Sequence, residues 1–490
     1  MKNKYNKSLG KNAFLSSLKT FFAIIFPLIT YPYITRILPV EDIGKINFSR
    51  SVSNYFVLFG TFGISSFAIR NGSQLRDDNG RLERFSTDIF SINIITSLVA
   101  FFLLILSAFI PAFNAYRDYM FILSIEIIIA PIGVEWLFPI VEDFAYITLR
   151  SFIVQLLSLI ALFLFVHDMN DALIYTFITV MAKVLPYIFN WFYSKKYIRV
   201  HFTVCFEWKK YYKQLLAFFV NSMASTVYLN SDTTMLGLFC NDYVMGIYGV
   251  STRIYLLVKQ IFNATIAALI PRMAYYAKND SKKFDLLLKK VNSLFLLFIF
   301  PAVTGMIIYR IPIVYIIAGE KYSQAGTSMI ILSCALFFAT LGNIYANGVL
   351  ISKNMEQDVL RGTIISSVVN IILNFFLLNK FEENGAAFTT LVSEIIMFLY
   401  CYYKSFCLTQ NRVSLKQIRD PMFGSVLMVI IYIVTQKVFE FDRMINFILE
   451  GSISVLTYYI YLFSAKNKYC LEVTERFVDK ITNRNRSGEK

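Results

Sequence analysis

The chain has 490 residues, 57% hydrophobic and only 16% charged, with a mean hydropathy of +0.56. Its apolar residues fall in blocks of about 20, enough to cross a bilayer core, and that excludes a soluble globular domain. The formal net charge of +15 lies in short scattered loops with no recognition motif beside them, which argues against a nucleic-acid reader.

The first apolar block, 14–38, contains Pro27 and Pro32. It is longer than a signal-peptide core and lacks a small-residue cleavage site, so it is expected to stay in the mature protein. A polar break from Pro39 to Asp42 then opens the second block, 43–69, which carries Arg50 about two turns in and ends on Arg70 and Arg76. An arginine inside a span costs roughly 2.5–3.5 kcal/mol on insertion scales and marks a functional-site candidate. The alternative is that Arg50 snorkels to the outer headgroups or pairs with a neighbouring acid.

Further spans are expected near 85–110, 119–140, 144–166, 172–193, 215–239, 244–270, 291–309, 325–351, 359–379, 385–406, 422–439 and 444–465. The fold class is therefore an all-α polytopic membrane protein of about 14 transmembrane helices, since open strand edges cannot sit in lipid. Of the 47 Lys and Arg, 33 fall in one set of alternating loops and 8 in the other. That bias places both termini in the cytoplasm and requires an even number of spans. Six cysteines form no CxxC pair, so free thiols are expected. The two histidines, His167 and His201, fall in loops, which leaves no imidazole metal site.

The opening of the second span has an echo at the eighth. GKINFSR (Gly44 to Arg50) compares with GIYGVSTR (Gly246 to Arg253), each after a short acidic turn. The offset of about 200 residues equals six spans, an even number. Such an offset relates two halves by an axis along the membrane normal, as in parallel-repeat transporters. The expected organisation is a lobe of spans 1–6 over 1–200, a second of spans 7–12 over 201–410, spans 13–14 over 411–465, and a cytoplasmic tail over 466–490.

RILPVEDIGKINFSRSVSNYFVLFGTFGISSFAIR (Arg36 to Arg70) resembles the amino-terminal signature of bacterial polysaccharide-repeat-unit flippases of the O-antigen and capsule type. These belong to the multidrug/oligosaccharidyl-lipid/polysaccharide exporter superfamily. Val134 to Val166, Leu229 to Ile254 and Asn370 to Glu394 resemble later family segments, so the likeness runs along nearly the whole chain. Two features depart from it: the Glu382-Glu383-Asn384 stretch, and the lack of an acid in the first span. The resemblance implies a non-enzyme in the bacterial cytoplasmic membrane. Its substrate would be an undecaprenyl-pyrophosphate-linked oligosaccharide, passed from the inner to the outer leaflet, and membrane lipids, a polysaccharide polymerase and other assembly proteins would be its partners. No cofactor or metal is implied, and the coupling ion, H+ or Na+, stays open.

Moving such a headgroup breaks no bond, so no catalytic residue is required, only a polar, cation-lined path. Within the spans lie Arg50, Arg150, Lys183, Arg253 and Lys259, with the acids Glu126, Glu135, Asp232 and Glu394. In the family fold, spans one, two, seven and eight line the cavity, which makes Arg50, Asp232, Arg253 and Lys259 the substrate-binding candidates. Arginine suits phosphate through paired donors, and lysine through a point charge. Arg150 with Glu135 reads as a structural pair near the inner face. Lys183 is expected to snorkel or satisfy Glu394, and Glu126 is a further secondary candidate. Pro39, Gly44 and Gly246 would let the outer helix ends bend as gates. Two rivals are a multidrug exporter of the same superfamily, which favours an acidic cavity, and a polysaccharide polymerase or membrane glycosyltransferase, which favours a large outer loop.

Overall fold

The computed structural model describes residues 9–409, 414–438 and 443–475. The expected tail beyond Glu475 lies outside the described residues, as do 410–413 and 439–442. The described chain folds as helices without strands. The long ones are α1 (Leu9–Ile37), α2 (Val40–Thr61), α3 (Ile64–Leu75), α4 (Asn79–Ala108), α5 (Arg117–Ile129), α6 (Phe144–Phe165), α7 (Ala172–Ser194) and α8 (Trp208–Phe239). They continue with α9 (Asp242–Asn279), α10 (Ser281–Ile308), α11 (Ala325–Asn343), α12 (Glu356–Phe406), α13 (Leu415–Val438) and α14 (Arg443–Ser464).

Among the described residues, eleven helical stretches are long and apolar enough to cross a membrane. One of these, α12, is broken at Glu382, whose φ of 48° and ψ of −127° lie outside the helical region. The break falls between the two spans expected at 359–379 and 385–406. The expected spans at 14–38 and 215–239 lie on α1 and α8, which are not among the eleven. In α8 the reason is polarity: Asn221, Asn230 and Asp232 interrupt its apolar run. A membrane helix of that composition turns its polar side toward protein or water.

Two expected spans are not continuous helices. The block at 43–69 divides into α2 and α3 because Phe62 and Gly63 adopt left-handed backbone, φ 44° and 71°. A Cβ on Gly63 would sit 2.6 Å from the Phe219 amide nitrogen, so the chain crosses α8 closely there and only glycine fits. The block at 119–140 ends its regular helix at Ile129, passes through a 3-10 turn over Ala130–Gly133 and resumes as a short helix, Leu137–Ile140. Pro131 removes a backbone donor inside that turn. Further along, α11 runs into a π-helical segment, Ile344–Leu350. There Asn343 bridges Asn263 and Asn347 through their side-chain amides, an arrangement often found where a helix serves a function.

The described chain divides into two compact units. Unit 1 comprises 1–249, 317–321 and 371–386. One core there gathers Ile64, Phe67, Phe85, Trp136, Leu137 and Leu215, and another joins Ile34, Ile43, Leu162 and Val166. Unit 2 comprises 250–316, 322–370 and 387–490. One core there centres on Phe284, Leu288, Leu296, Ile344 and Val349, and another on Leu297, Met428, Tyr458 and Leu462. Several hydroxyls buried in these helices bond one turn back. Thr35 donates to the Tyr31 carbonyl at 2.9 Å, Ser91 to Thr87 at 2.8 Å and Ser333 to Met329 at 2.6 Å. Lipid offers such groups no other partner.

Candidate functional site

In unit 1 the first turns of α2 and α9 meet through glycine. A Cβ on Gly44 would lie 1.9 Å from the carbonyl oxygen of Asp242, and one on Gly246 would lie 2.2 Å from that of Val40. Each carbonyl stands four residues before the other glycine, so the contact has local two-fold symmetry and falls on the two halves of the sequence echo. The absence of side chains lets the backbones touch, as small residues do in membrane helix crossings. Gly44 and Gly246 are thus close-approach residues. Pro39 stands just before α2 with φ −58° and ψ 152°, a bend that ends α1 and starts α2. Tyr116 closes this corner by donating to an Asp242 carboxylate oxygen at 2.8 Å.

About three turns into α2, Arg50 donates through Nη2 to the Thr179 hydroxyl of α7 at 2.8 Å. It makes no ion pair among the described residues, and its buried Nε–H has no hydrogen-bond acceptor. A membrane arginine held by a hydroxyl alone keeps most of its positive charge uncompensated. On the same α7 face one turn later, Lys183 binds both oxygens of Glu126, at 3.0 and 2.8 Å. Lys183 therefore satisfies Glu126, not Glu394. The same α2 surface continues with Ser51 against Thr234 at 2.5 Å and Asn54 donating to Asn230 at 3.1 Å, a polar ladder to α8. Tyr55 accepts from Thr234 at 3.4 Å. Asp232, also on α8, accepts from the buried Asn374 amide at 2.7 Å and from Tyr248 at 3.3 Å.

Arg150 differs from Arg50. Its side chain is 5% exposed, and its guanidinium donates to Asn190 and to Glu135, the latter at 3.3 Å, and stands 5.8 Å from the Tyr146 ring. Its charge is matched, which fits the structural pairing expected from the sequence.

Unit 2 holds a buried triangle. Lys259 lies 2.6 Å from Glu394, Tyr255 donates to the same carboxylate at 2.8 Å, and Lys259 Nζ is 3.0 Å from the Tyr255 oxygen. Tyr255 thus serves the ion pair in this arrangement. Arg253 is half-buried on α9 in this unit, two residues past Ser251, which donates to the Ala325 carbonyl at 2.9 Å.

Thr179, Asn190, Asn374 and Tyr116 belong to these clusters and were not singled out from the sequence. Each meets its partner across at least 40 residues of chain, so no local pattern marks them.

Helices of this length with cations and amides on their inner faces define a multi-pass helical membrane protein. The model of the polysaccharide biosynthesis protein family (Polysacc_synt) matches residues 9–277, and the chain belongs to that family. Curated relatives are distant. A provisionally named O-antigen transporter of Escherichia coli (strain K12) is 23% identical over 401 residues, 80% of this chain and 95% of that one. The capsular polysaccharide biosynthesis protein CapF of Staphylococcus aureus is 22% identical over 382 residues, 76% of this chain and 92% of the other. Among solved structures, the inward closed conformation of the lipid II flippase MurJ has the same fold, with TM-score 0.69 and 18% identity over 91% of this chain and 98% of that one. The MATE multidrug transporter DinF-BH is similar at TM-score 0.54 and 16% identity, covering 83% and 98% of the two chains.

Proposed function

We propose that this protein flips a polyprenyl-pyrophosphate-linked oligosaccharide repeat unit across the bacterial cytoplasmic membrane for surface polysaccharide assembly. The observation that carries this reading is Arg50: a cation inside a membrane span, bound to a hydroxyl and, among the described residues, to no acid. A pyrophosphate oxygen is the acceptor such a group lacks, and a guanidinium presents paired donors to it. Family membership and relatives named for O-antigen transport and capsule biosynthesis support the same substrate class.

In this reading Arg50 makes first contact with the phosphates. Lys259 joins once it exchanges Glu394 for the substrate, and Arg253 and Asp232 complete the polar path. Arg150 stays structural. The lobes 1–200 and 201–410 alternate access to the two leaflets, with spans 13 and 14 appended and both termini in the cytoplasm. Pro39, Gly44 and Gly246 hold the outer helix starts about which the gate turns. Outside, the unit passes to a polysaccharide polymerase and the other assembly proteins.

The test is complementation of a flippase-deletion strain. Arg50→Ala should reach the membrane in normal amount yet abolish surface polysaccharide and leave lipid-linked units inside, while Arg50→Lys keeps part of the export. Normal export by Arg50→Ala would refute the assignment.

A further inference from the structure

Unit 2 carries a separate pocket of about 270 Å³, walled by α10, the start of α13 and the turn after α14. Four exposed lysines border it, Lys289, Lys416, Lys466 and Lys468, and none makes an ion pair among the described residues. The carboxylate in the wall, Asp420, is 2% exposed and already engaged by Arg419 at 3.0 Å and by Asn467 at 3.1 Å. It therefore neutralises none of the four.

The frame around these lysines is fixed by polar contacts. Gln417 donates to the Ser293 hydroxyl at 2.5 Å and accepts from the Ser414 amide at 2.7 Å. Asn467 accepts from the amides of Tyr469 and Cys470 at 3.2 and 3.3 Å. Lys466 sits in this turn with a left-handed φ of 51°. Its N–H bonds the Phe463 carbonyl and the Asn467 N–H bonds that of Leu462, both at 3.0 Å. This pair of bonds is the helix-ending cap in which glycine is the usual residue, because left-handed backbone penalises a Cβ. A side chain kept at such a position points to a use for it.

Next to the pocket along the chain, α13 and α14 expose Met422, Phe423 and Phe463. A cluster of unmatched lysines at the ends of membrane helices, beside bare apolar surface, has the chemistry of a lipid headgroup site. The charge bias of the loops assigns this end to the cytoplasmic side, where the leaflet is anionic. We propose that the pocket holds the phosphate headgroup of an anionic phospholipid of the inner leaflet, with its acyl chains lying along α13 and α14.

The experiment is native mass spectrometry of the full chain in detergent, titrated with phosphatidylglycerol and, separately, with phosphatidylcholine. The variants are Lys466→Gly, the double Lys416→Gln/Lys468→Gln, and Arg50→Ala as reference. Lys466→Gly is informative because glycine relieves the cap, so its unfolding temperature should match or exceed that of the unaltered chain. Phosphatidylglycerol binding should fall roughly fivefold for each lysine removed, Arg50→Ala should leave it unchanged, and phosphatidylcholine should bind far more weakly throughout. Equal retention of phosphatidylglycerol by both lysine variants would overturn the proposal. So would its loss in Arg50→Ala, or its complete displacement by low millimolar inorganic phosphate, which would assign the pocket to a soluble anion.

Discussion

Arg50 and Arg150 are the same residue in the same kind of place, and unit 1 treats them in opposite ways. Both lie inside membrane helices, so both carry a similar penalty of insertion. Arg150 is surrounded by a carboxylate, an amide and an aromatic face, and its side chain is 5% exposed. Arg50 has one hydroxyl and, among the described residues, no carboxylate, while the Nε–H of each arginine goes without an acceptor. A matched charge stabilises the fold and has little left to offer a ligand. An unmatched one makes the fold less stable than it could be and keeps its attraction for an anion. The contrast therefore separates structural cations from binding cations without reference to their depth in the membrane.

The sharpest way to break this contrast is to remove the matched charge. Arg150→Leu leaves the buried Asn190 without its charged partner and Glu135 without a counter-ion. Breaking a buried pair costs about 3–5 kcal/mol, and the low end applies because Glu135 is 43% exposed. The expected outcome is a large loss of folded protein in the membrane and of thermal stability, measured by fluorescence-detected size exclusion after heating. Adding Glu135→Gln should restore part of both. A second-largest effect, opposite in kind, is expected at Arg50. Arg50→Ala should leave the melting curve within a few degrees of the unaltered chain or above it, while export falls about 100-fold, equivalent to about 3 kcal/mol of lost interaction with the substrate. If Arg50→Ala instead melts early, Arg50 is structural and the two arginines are alike.

Much of this was legible in the sequence, and the limits have physical causes. That Arg50 sits in a span follows from the apolar residues around it, and so does the pairing of Arg150 with Glu135, which lie only 15 residues apart. The partner of Lys183 was not legible. Glu394 and Glu126 are both acids within spans, and only the packing of α5 against α7 selects Glu126, 57 residues away. The break at Phe62–Gly63 was hidden for a related reason. A single glycine in an apolar run is tolerated in a helix, and the crossing of α8 that makes it a turn is a tertiary fact. The glycines of the echo, Gly44 and Gly246, stand out in the sequence by position, but their mutual contact became readable only with both helices in place.

That contact supplies the next test, smaller in effect, because α2 carries Arg50 and its first turn is set against α9. Gly44→Ala would bring a Cβ to 1.9 Å from the Asp242 carbonyl, which forces the backbones apart. Overpacking of this kind costs about 1–3 kcal/mol. Export should drop several-fold as Arg50 shifts relative to Thr179, and Gly246→Ala should do the same because its clash with Val40 is the mirror of the first. If the double variant is no worse than either single one, the two glycines act as one contact. Full export by either single variant would mean that the close approach does not position Arg50.

The smallest effect is expected where the two treatments of charge meet. Lys183 is paired like Arg150, yet its side chain is 45% exposed while that of Glu126 is 10% exposed. An accessible cation whose acid is buried can trade that acid for a passing phosphate at little net gain, since the carboxylate left behind must then stay unpaired. Lys183→Met should therefore lower export only about two- to fivefold. The effect should deepen in the Arg50→Lys background, where the phosphates rely on the cation one turn along α7 from Thr179, and measuring export in the single and double variants gives the coupling directly. Strict additivity would mean that Lys183 serves Glu126 alone and belongs with Arg150, whereas a deeper loss in the double variant puts it beside Arg50 as a second, weaker hand on the same headgroup.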